Sequence, residues 1–375
     1  MTTDVYKIRD GIDIYLVGEE LLTVYFMNTR RRGEFKVNPL SVSLIEAING
    51  IESIGTIKNK LERRFGKEIE LTALQKILSY LQKKGIIVDN NEDLYQGYIT
   101  TEEREQYDRQ LNFFGDFLAG PMKKYEVQQK IRDAKILMFG CGAVGGWIAT
   151  QLAMCGVRNF LLFDGDSVET SDISRHVFFK QKHVGIPKVK ALAEFLKEIS
   201  NDIQITEHIE MLNPTTSISN LIQDSDFVIN TADEPYIGHT SLKISRECVN
   251  LRKAHYIAGG FDAHLASTGE IIIPGVTPCV DCYTGHFNTV LKDWKPEPHP
   301  VIERYLEIGG LSSMSLFSSS YAVIEIIKFL GQLVDFSIAS KTRGEFLFDS
   351  MTISYLDVEK KPTCKTCGGV NYDEA

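Results

Sequence analysis

Two groups of residues carry chemistry in their spacing. Gly140-Cys141-Gly142-Ala143-Val144-Gly145 fits G-x-G-x-x-G, between the strand-like run KILMFG at 135–140 and a helical run reaching Cys155. Glycines so placed permit a tight turn and let a phosphate approach the main chain. The helix that follows offers free N–H groups and the positive end of its dipole. Asp164 ends the next apolar run, NFLLFD, where an acidic side chain can bond a ribose hydroxyl. The turn marks a nucleotide site and leaves NAD and ATP both open. The sequence G-x-x-x-x-G-K-[ST] is absent, so ATP would have to sit on this same turn. The second group is Cys279-x-x-Cys282 and Cys364-x-x-Cys367. Four thiolates in two such knuckles suit tetrahedral zinc with no open position, a structural site that staples the C-terminal tail to the body.

Charged residues around the turn favour ATP. Arg109, Arg175 and Lys188 offer three positive charges to a triphosphate, and Asp233, after the strand FVINTAD, is placed to hold magnesium. The stretch from Asp164 to Arg175 adds Asp166, Ser171 and Asp172. A hydride-transfer site needs fewer phosphate-neutralising groups, so an NAD-dependent dehydrogenase is the rival. His183, His264 and His286 lack ligand spacing and read as surface or packing residues.

These residues need elements to position them. From about Thr100 onward strand-like and helical stretches alternate, among them a helix at 188–199 and strands at 159–164, 203–206 and 227–233. Alternation of this kind predicts an α/β fold with a Rossmann-like, doubly wound, mostly parallel sheet. Upstream, VYKIR, DIYLV and LLTVYFM read as strands. Three helices follow: one after Asn38-Pro39 with Leu40, Val42, Leu44, Ile45 and Ile48 apolar, then Ile54–Phe65 and Leu71–Lys84, stopped at Gly66 and Gly85. Ile86-Ile87-Val88 closes the unit as a strand, and Asp89–Asp93 reads as a linker. The expected domains are therefore a small winged-helix unit at 1–92 and a nucleotide domain at 100–375.

A net charge of -9 argues against nucleic-acid binding. The sequence shows no signal peptide and no apolar run of about 20 residues, so no membrane role is expected. Seven cysteines in such a chain do not read as a disulfide framework, and the expected compartment is the cytoplasm.

Taken together, the order and spacing of these motifs over roughly 100–370 resemble the ThiF/MoeB/ubiquitin-activating superfamily, whose members adenylate carboxylates on proteins or peptides. The resemblance implies that Gly140, Gly142, Ala143 and Gly145 cradle ATP, with Asp166 and Asp172 nearby. It implies that Asp164 binds the ribose, that Ser171, Arg175 and Lys188 line the phosphates, and that Asp233 binds Mg2+. It also implies a homodimer in which Arg109 reaches the partner's site, and zinc on the two knuckles. Asp172 stands where the family usually has Asn, His176 where it has Gln, and Ala143 where it often has Gly. Residues 283–311 hold no cysteine, so the thioester step of ubiquitin-activating relatives has no nucleophile there.

Residues 1–92 resemble the PqqD-type winged helix that clamps the leader of a ribosomal precursor peptide as an added strand, with Ile54–Phe65-Gly66 and Ile77–Gly85-Ile86 carrying the likeness. Arg30-Arg31-Arg32 would attract an acidic leader or serve as a solvated turn. The pairing resembles the maturases of peptide natural products such as microcin C and pantocin A. It implies ATP-driven adenylation or phosphorylation of a peptide carboxylate, such as a Glu side chain, followed by intramolecular dehydrating condensation. The alternative within the superfamily is an activator of a sulfur-carrier or ubiquitin-like protein.

Overall fold

The computed structural model describes residues 5–90, 95–117, 123–233, 237–262, 264–290, 292, 309–338 and 343–369. By packing, the chain divides into two compact units, Met1–Gln129 and Lys130–Ala375. This division falls later than the sequence boundary near residues 92–100, because the helices after Thr100 pack within the first unit. Gln110 Nε2 donates to Gln128 Oε1 at 2.7 Å, and Arg9 reaches the Gly115 carbonyl at 3.5 Å. Most of the expected linker lies outside the described residues.

The first unit runs β1 (Val5–Ile8), β2 (Ile12–Val17), β3 (Leu21–Phe26), β4 (Arg31–Lys36), α1 (Pro39–Ala47), β5 (Asn49–Ser53), α2 (Ile54–Phe65), α3 (Leu71–Lys83) and β6 (Ile87–Asp89). It continues with α4 (Thr101–Gln106), α5 (Asp108–Phe117) and the first part of α6 (Lys123–Asp133), within which the division falls. β5-β1-β6 and β2-β3-β4 form two antiparallel three-stranded sheets. Leu22, Val24, Leu44, Ile57, Leu61, Leu74 and Leu78 join one buried cluster, which fixes the three helices against the strands. Helix starts are set by capping: Asn38 Oδ1 accepts from Ser41 N, and Ser53 Oγ accepts from Thr56 N. Gly66 ends α2 at φ 63°, where a left-handed residue is needed.

The second unit contains β7 (Lys135–Phe139), α7 (Ala143–Met154), β8 (Asn159–Phe163), α8 (Lys188–Ile199), β9 (Gln204–His208), α9 (Ser219–Gln223), β10 (Phe227–Asn230), α10 (Ile237–Asn250) and β11 (His255–Ile257). Then come β12 (Phe261–Asp262), β13 (Leu265–Ser267), β14 (Glu270–Ile272), α11 (Val280–Val290), α12 (Ser312–Leu330), β15 (Gly344–Leu347) and β16 (Thr352–Tyr355). The main sheet has the order β14-β11-β10-β7-β8-β9, parallel except for β14. The order of strands reverses between β7 and β10, and the crevice at that switch point is where such sheets bind ligands. A second, antiparallel sheet has the order β12-β13-β15-β16.

Against the sequence reading, α12 is long and apolar enough to span a bilayer, at 19 residues and a mean hydropathy of 1.2. It packs along α7. Its serines bond inside the protein: Ser319 Oγ donates to the Val144 carbonyl at 2.9 Å and Ser318 Oγ to the Ser267 carbonyl at 2.8 Å.

Candidate functional site

A cavity of about 940 Å³ opens at the carboxyl ends of β7, β8 and β10. Gly140, Gly142, Ala143 and Gly145 line it, together with Asp164, Asp166, Asp172, Arg175, Lys188 and Asp233. The turn's glycines answer to separate demands. Gly140 has φ 92°, and a Cβ there would meet Thr231 Oγ1 at 2.4 Å; one on Gly145 would meet the Gly140 carbonyl oxygen at 2.1 Å. A Cβ on Gly142 would meet nothing within 4 Å. Gly142 caps α7 without a side-chain bond, so the helix's first N–H groups face the cavity. The turn therefore fits a nucleotide phosphate, with room at the one glycine where a phosphate must come close.

Asp164 braces the turn. Its carboxylate accepts from Cys141 N at 2.6 Å and from Asp166 N at 2.8 Å. Burial raises its pKa above the ordinary carboxylate value, against those two bonds and the charge of Lys188. Asp172 is buried, accepts from Glu169 N at 2.9 Å and pairs with Arg175. Lys188, the first residue of α8, donates to Asp166 Oδ2 at 3.0 Å. Burial alone would lower the Lys188 pKa, but the Asp166 hydrogen bond and the charges of Asp164 and Asp172 outweigh it and raise the value. Both cations at the cradle are thus already paired with carboxylates.

Three expectations have other outcomes or lie elsewhere. Ser171 is exposed and absent from the cavity lining; its hydroxyl faces Glu169 at 3.4 Å. Arg109 is exposed on α5 of the first unit, outside the unit that forms the cavity. In Arg30-Arg31-Arg32, read as leader contact or solvated turn, Arg30 turns at φ 54° and Arg31 and Arg32 begin β4.

The four cysteines converge. Their sulfurs all lie within 4.8 Å of one another, with Cys279–Cys364 at 3.7 Å, Cys282–Cys367 at 3.6 Å and Cys279–Cys282 at 4.0 Å. A tetrahedral zinc with bonds of about 2.3 Å needs sulfur pairs roughly 3.8 Å apart, so the four thiolates fit that ion. Asp281, between the first two cysteines, accepts from Arg246 Nε at 2.9 Å, from its Nη2 at 2.7 Å and from Thr366 Oγ1. This ties the two knuckles to α10. Cys248 is fully buried and burial pushes its thiol pKa up, so it supplies no thiolate nucleophile.

Several cavity residues are given no role in the sequence reading. Thr231 donates to the Gly140 carbonyl at 3.0 Å and holds the turn against β10. Glu270, Arg343 and Glu345 line the opposite part, with Phe287 from α11.

Over residues 42–98 the chain matches the MCM protein C-terminal winged helix-turn-helix domain. It is 31% identical over 186 residues to the vegetative protein HesA of Trichormus variabilis, covering 49% of this chain and 64% of that protein. The chain therefore spans under two thirds of that relative's length. Among solved structures it is similar to E. coli MccB with succinimide, with TM-score 0.70, 19% identity, and 98% and 100% of the two chains covered. It is similar also to PaaA, with TM-score 0.68, 19% identity and 94% and 100% covered. At these identities the likeness is one of fold. The ThiF family matches residues 107–368, which hold the glycine turn, the paired cations and all four cysteines, and the chain belongs to that family.

Proposed function

We propose that the protein is an ATP-dependent carboxylate-activating enzyme acting on a ribosomally made precursor peptide. The observation that carries this is the cradle itself: open space at Gly142, uncapped helix N–H groups, and Arg175 and Lys188 at one cavity. In this reading the phosphates lie on the turn, Asp164 bonds the ribose and Asp233 holds Mg2+. ATP adenylates or phosphorylates a carboxyl, such as a Glu side chain. An attacking group of the same peptide then closes a bond and expels AMP or phosphate, and holding it close removes much of the barrier. The winged helix clamps the leader. Its β2-β3-β4 sheet offers edge strands, and Tyr15, Leu16 and Val17 are exposed on β2. A homodimer would bring Arg109 of a second copy to the site. The zinc is structural, and four reduced thiolates suit the cytoplasm.

The test is release of pyrophosphate or ADP from Mg-ATP, with and without peptides encoded near the gene. Peptide-dependent pyrophosphate means adenylation and peptide-dependent ADP means phosphorylation. Asp233→Ala is expected to lower turnover by about a hundredfold or more with an unchanged melting temperature. Full activity in that variant would remove Asp233 from the mechanism. A carrier protein with a free C-terminal diglycine that stimulates pyrophosphate release, where peptides do not, would favour the sulfur-carrier alternative. Tight NADH binding with no ATP turnover would favour a dehydrogenase.

A further inference from the structure

The cavity is larger than its nucleotide end. Ligand pockets run to roughly 1,000 Å³ at the upper end, and this one is near it at about 940 Å³. Asp164 ends the strand on one side of β7, while β14 lies three strands away on the other, a distance of about 14 Å at ordinary strand spacing. Between these limits the sheet edge has room for a nucleotide and for a second group beside it.

That second part is walled by Leu265, Phe287, Glu270, Arg343 and Glu345. Glu270 is fully buried and its Oε2 accepts from Arg343 Nη1 at 2.9 Å; the guanidinium lies 5.3 Å from the Phe287 ring centre. Among the described residues Arg343 is the cation of this part; one bond and one ring engage it, and its Nε is buried without a partner. Glu345 stands two residues further along β15, half-buried, opposite Ser267 in the ladder. Among the described residues its carboxylate has no hydrogen-bond or ion-pair partner. Among the described residues, with Glu270 paired to Arg343, the lobe carries one surplus negative charge, on Glu345. A partly desolvated carboxylate without a donor is costly unless a ligand supplies one. A substrate carboxylate would be repelled there, and a neutral apolar group would leave Glu345 unsatisfied.

We propose that this lobe is the acceptor subsite and takes an amino group, with Glu345 as the catalytic base. The inference rests on the carboxylate-activation reading. The amine enters as its ammonium and gives a proton to Glu345. The freed lone pair attacks the carbonyl carbon of the acyl phosphate or acyl adenylate. A C–N bond forms, the carbonyl C–O bond of the C–O–P link breaks, phosphate or AMP leaves with the electron pair and takes the nitrogen's second proton, and Glu345 returns its own proton to water. Atoms and charge balance, and no further reagent is needed. Glu270 engages the lobe's other charge, Arg343, through its hydrogen bond.

The experiment titrates n-butylammonium into the full-length protein by calorimetry, in the presence of magnesium and a non-hydrolysable ATP analogue. n-Butyrate and n-butanol, of the same length, are the comparisons. Butylammonium is expected to bind in preference to both. Glu345→Gln should weaken it about tenfold or more, and Glu345→Asp should recover part of the loss. The analogue's own affinity, measured in each variant, reports that the cavity is still folded. Equal binding of butyrate or butanol overturns the proposal, as does an unaffected Glu345→Gln variant or no butylammonium binding at millimolar concentration. Failure of the analogue to bind wild-type protein is a different result. It counts against the ATP reading, while the amine titration still judges the lobe.

Discussion

Gly142 and Gly145 stand three residues apart in one turn, and a single methyl group separates their roles. At Gly145 a Cβ would press on a backbone oxygen at 2.1 Å, where nothing can yield cheaply. Gly145→Ala is expected to cost roughly 1–3 kcal/mol or more, read as a lower denaturant midpoint. At Gly142 the backbone has φ -73° and a Cβ meets open space. Gly142→Ala should therefore melt like the wild type while nucleotide affinity falls by about tenfold or more, because the methyl occupies the phosphate's approach. If instead Gly142→Ala binds nucleotide normally, the phosphates do not lie on this turn. The same scale shows what spacing could and could not reveal. The glycines and paired cysteines were legible because their chemistry is local in sequence. Ser171 lies outside the cavity lining, and a short hydrophilic run gives no sign of which side chain turns inward. There Asp172 is the buried residue and Ser171 the exposed one.

At the scale of elements, α10 and α11 tie the four-cysteine centre to the cavity. Arg246 of α10 bonds Asp281, α11 begins at the first knuckle, and both helices present residues to the cavity wall, among them Gly238, Ser241, Thr284 and Phe287. Metal analysis is expected to find about one zinc per chain. Removing it with a chelator, or Cys367→Ser, should raise amide exchange in 237–250 and 280–290 as well as around the knuckles. Exchange confined to the knuckles would show that the cavity walls stand without the metal. Most elements were readable in the sequence: α8 spans 188–199 as its periodicity predicts, and β7, β8 and β10 begin where their apolar runs begin. β4 and β5 were not. RRGEFK is too charged to show a two-residue alternation, and Asn49-Gly50 reads as a helix stop before it reads as a strand. The acceptor lobe was invisible for a different reason. Glu270 and Arg343 are 73 residues apart and meet only because two sheets come together.

Buried imidazoles make one contribution to the acid sensitivity of the folded chain. Burial lowers the pKa of His255 from 6.5 to about 4, and His176, stacked on Phe178, is lowered likewise to about 4. A histidine kept neutral in the fold contributes stability that is complete above pH 6.5. That stability is lost as the pH falls towards 4, because the unfolded chain takes up the proton first. For one such residue the loss is up to about 1.4 kcal/mol per pH unit. Asp164 and Glu270 have raised pKa values and act in the opposite direction. The histidine contribution is therefore isolated by comparing urea midpoints of wild type and His255→Gln across this range. The variant should show the flatter profile, and parallel profiles would place the acid sensitivity elsewhere. Another property of the whole follows from Arg175 and Lys188, which already hold Asp172 and Asp166. Any anion that would use these cations must trade places with a carboxylate. A lone orthophosphate or sulfate makes that trade with little else to gain. A magnesium-bound triphosphate makes it while also engaging the helix N–H groups and Asp233. In the proposed reading the cradle is thus a discriminator, assembled from phosphate-binding parts yet indifferent to the small anions that surround it.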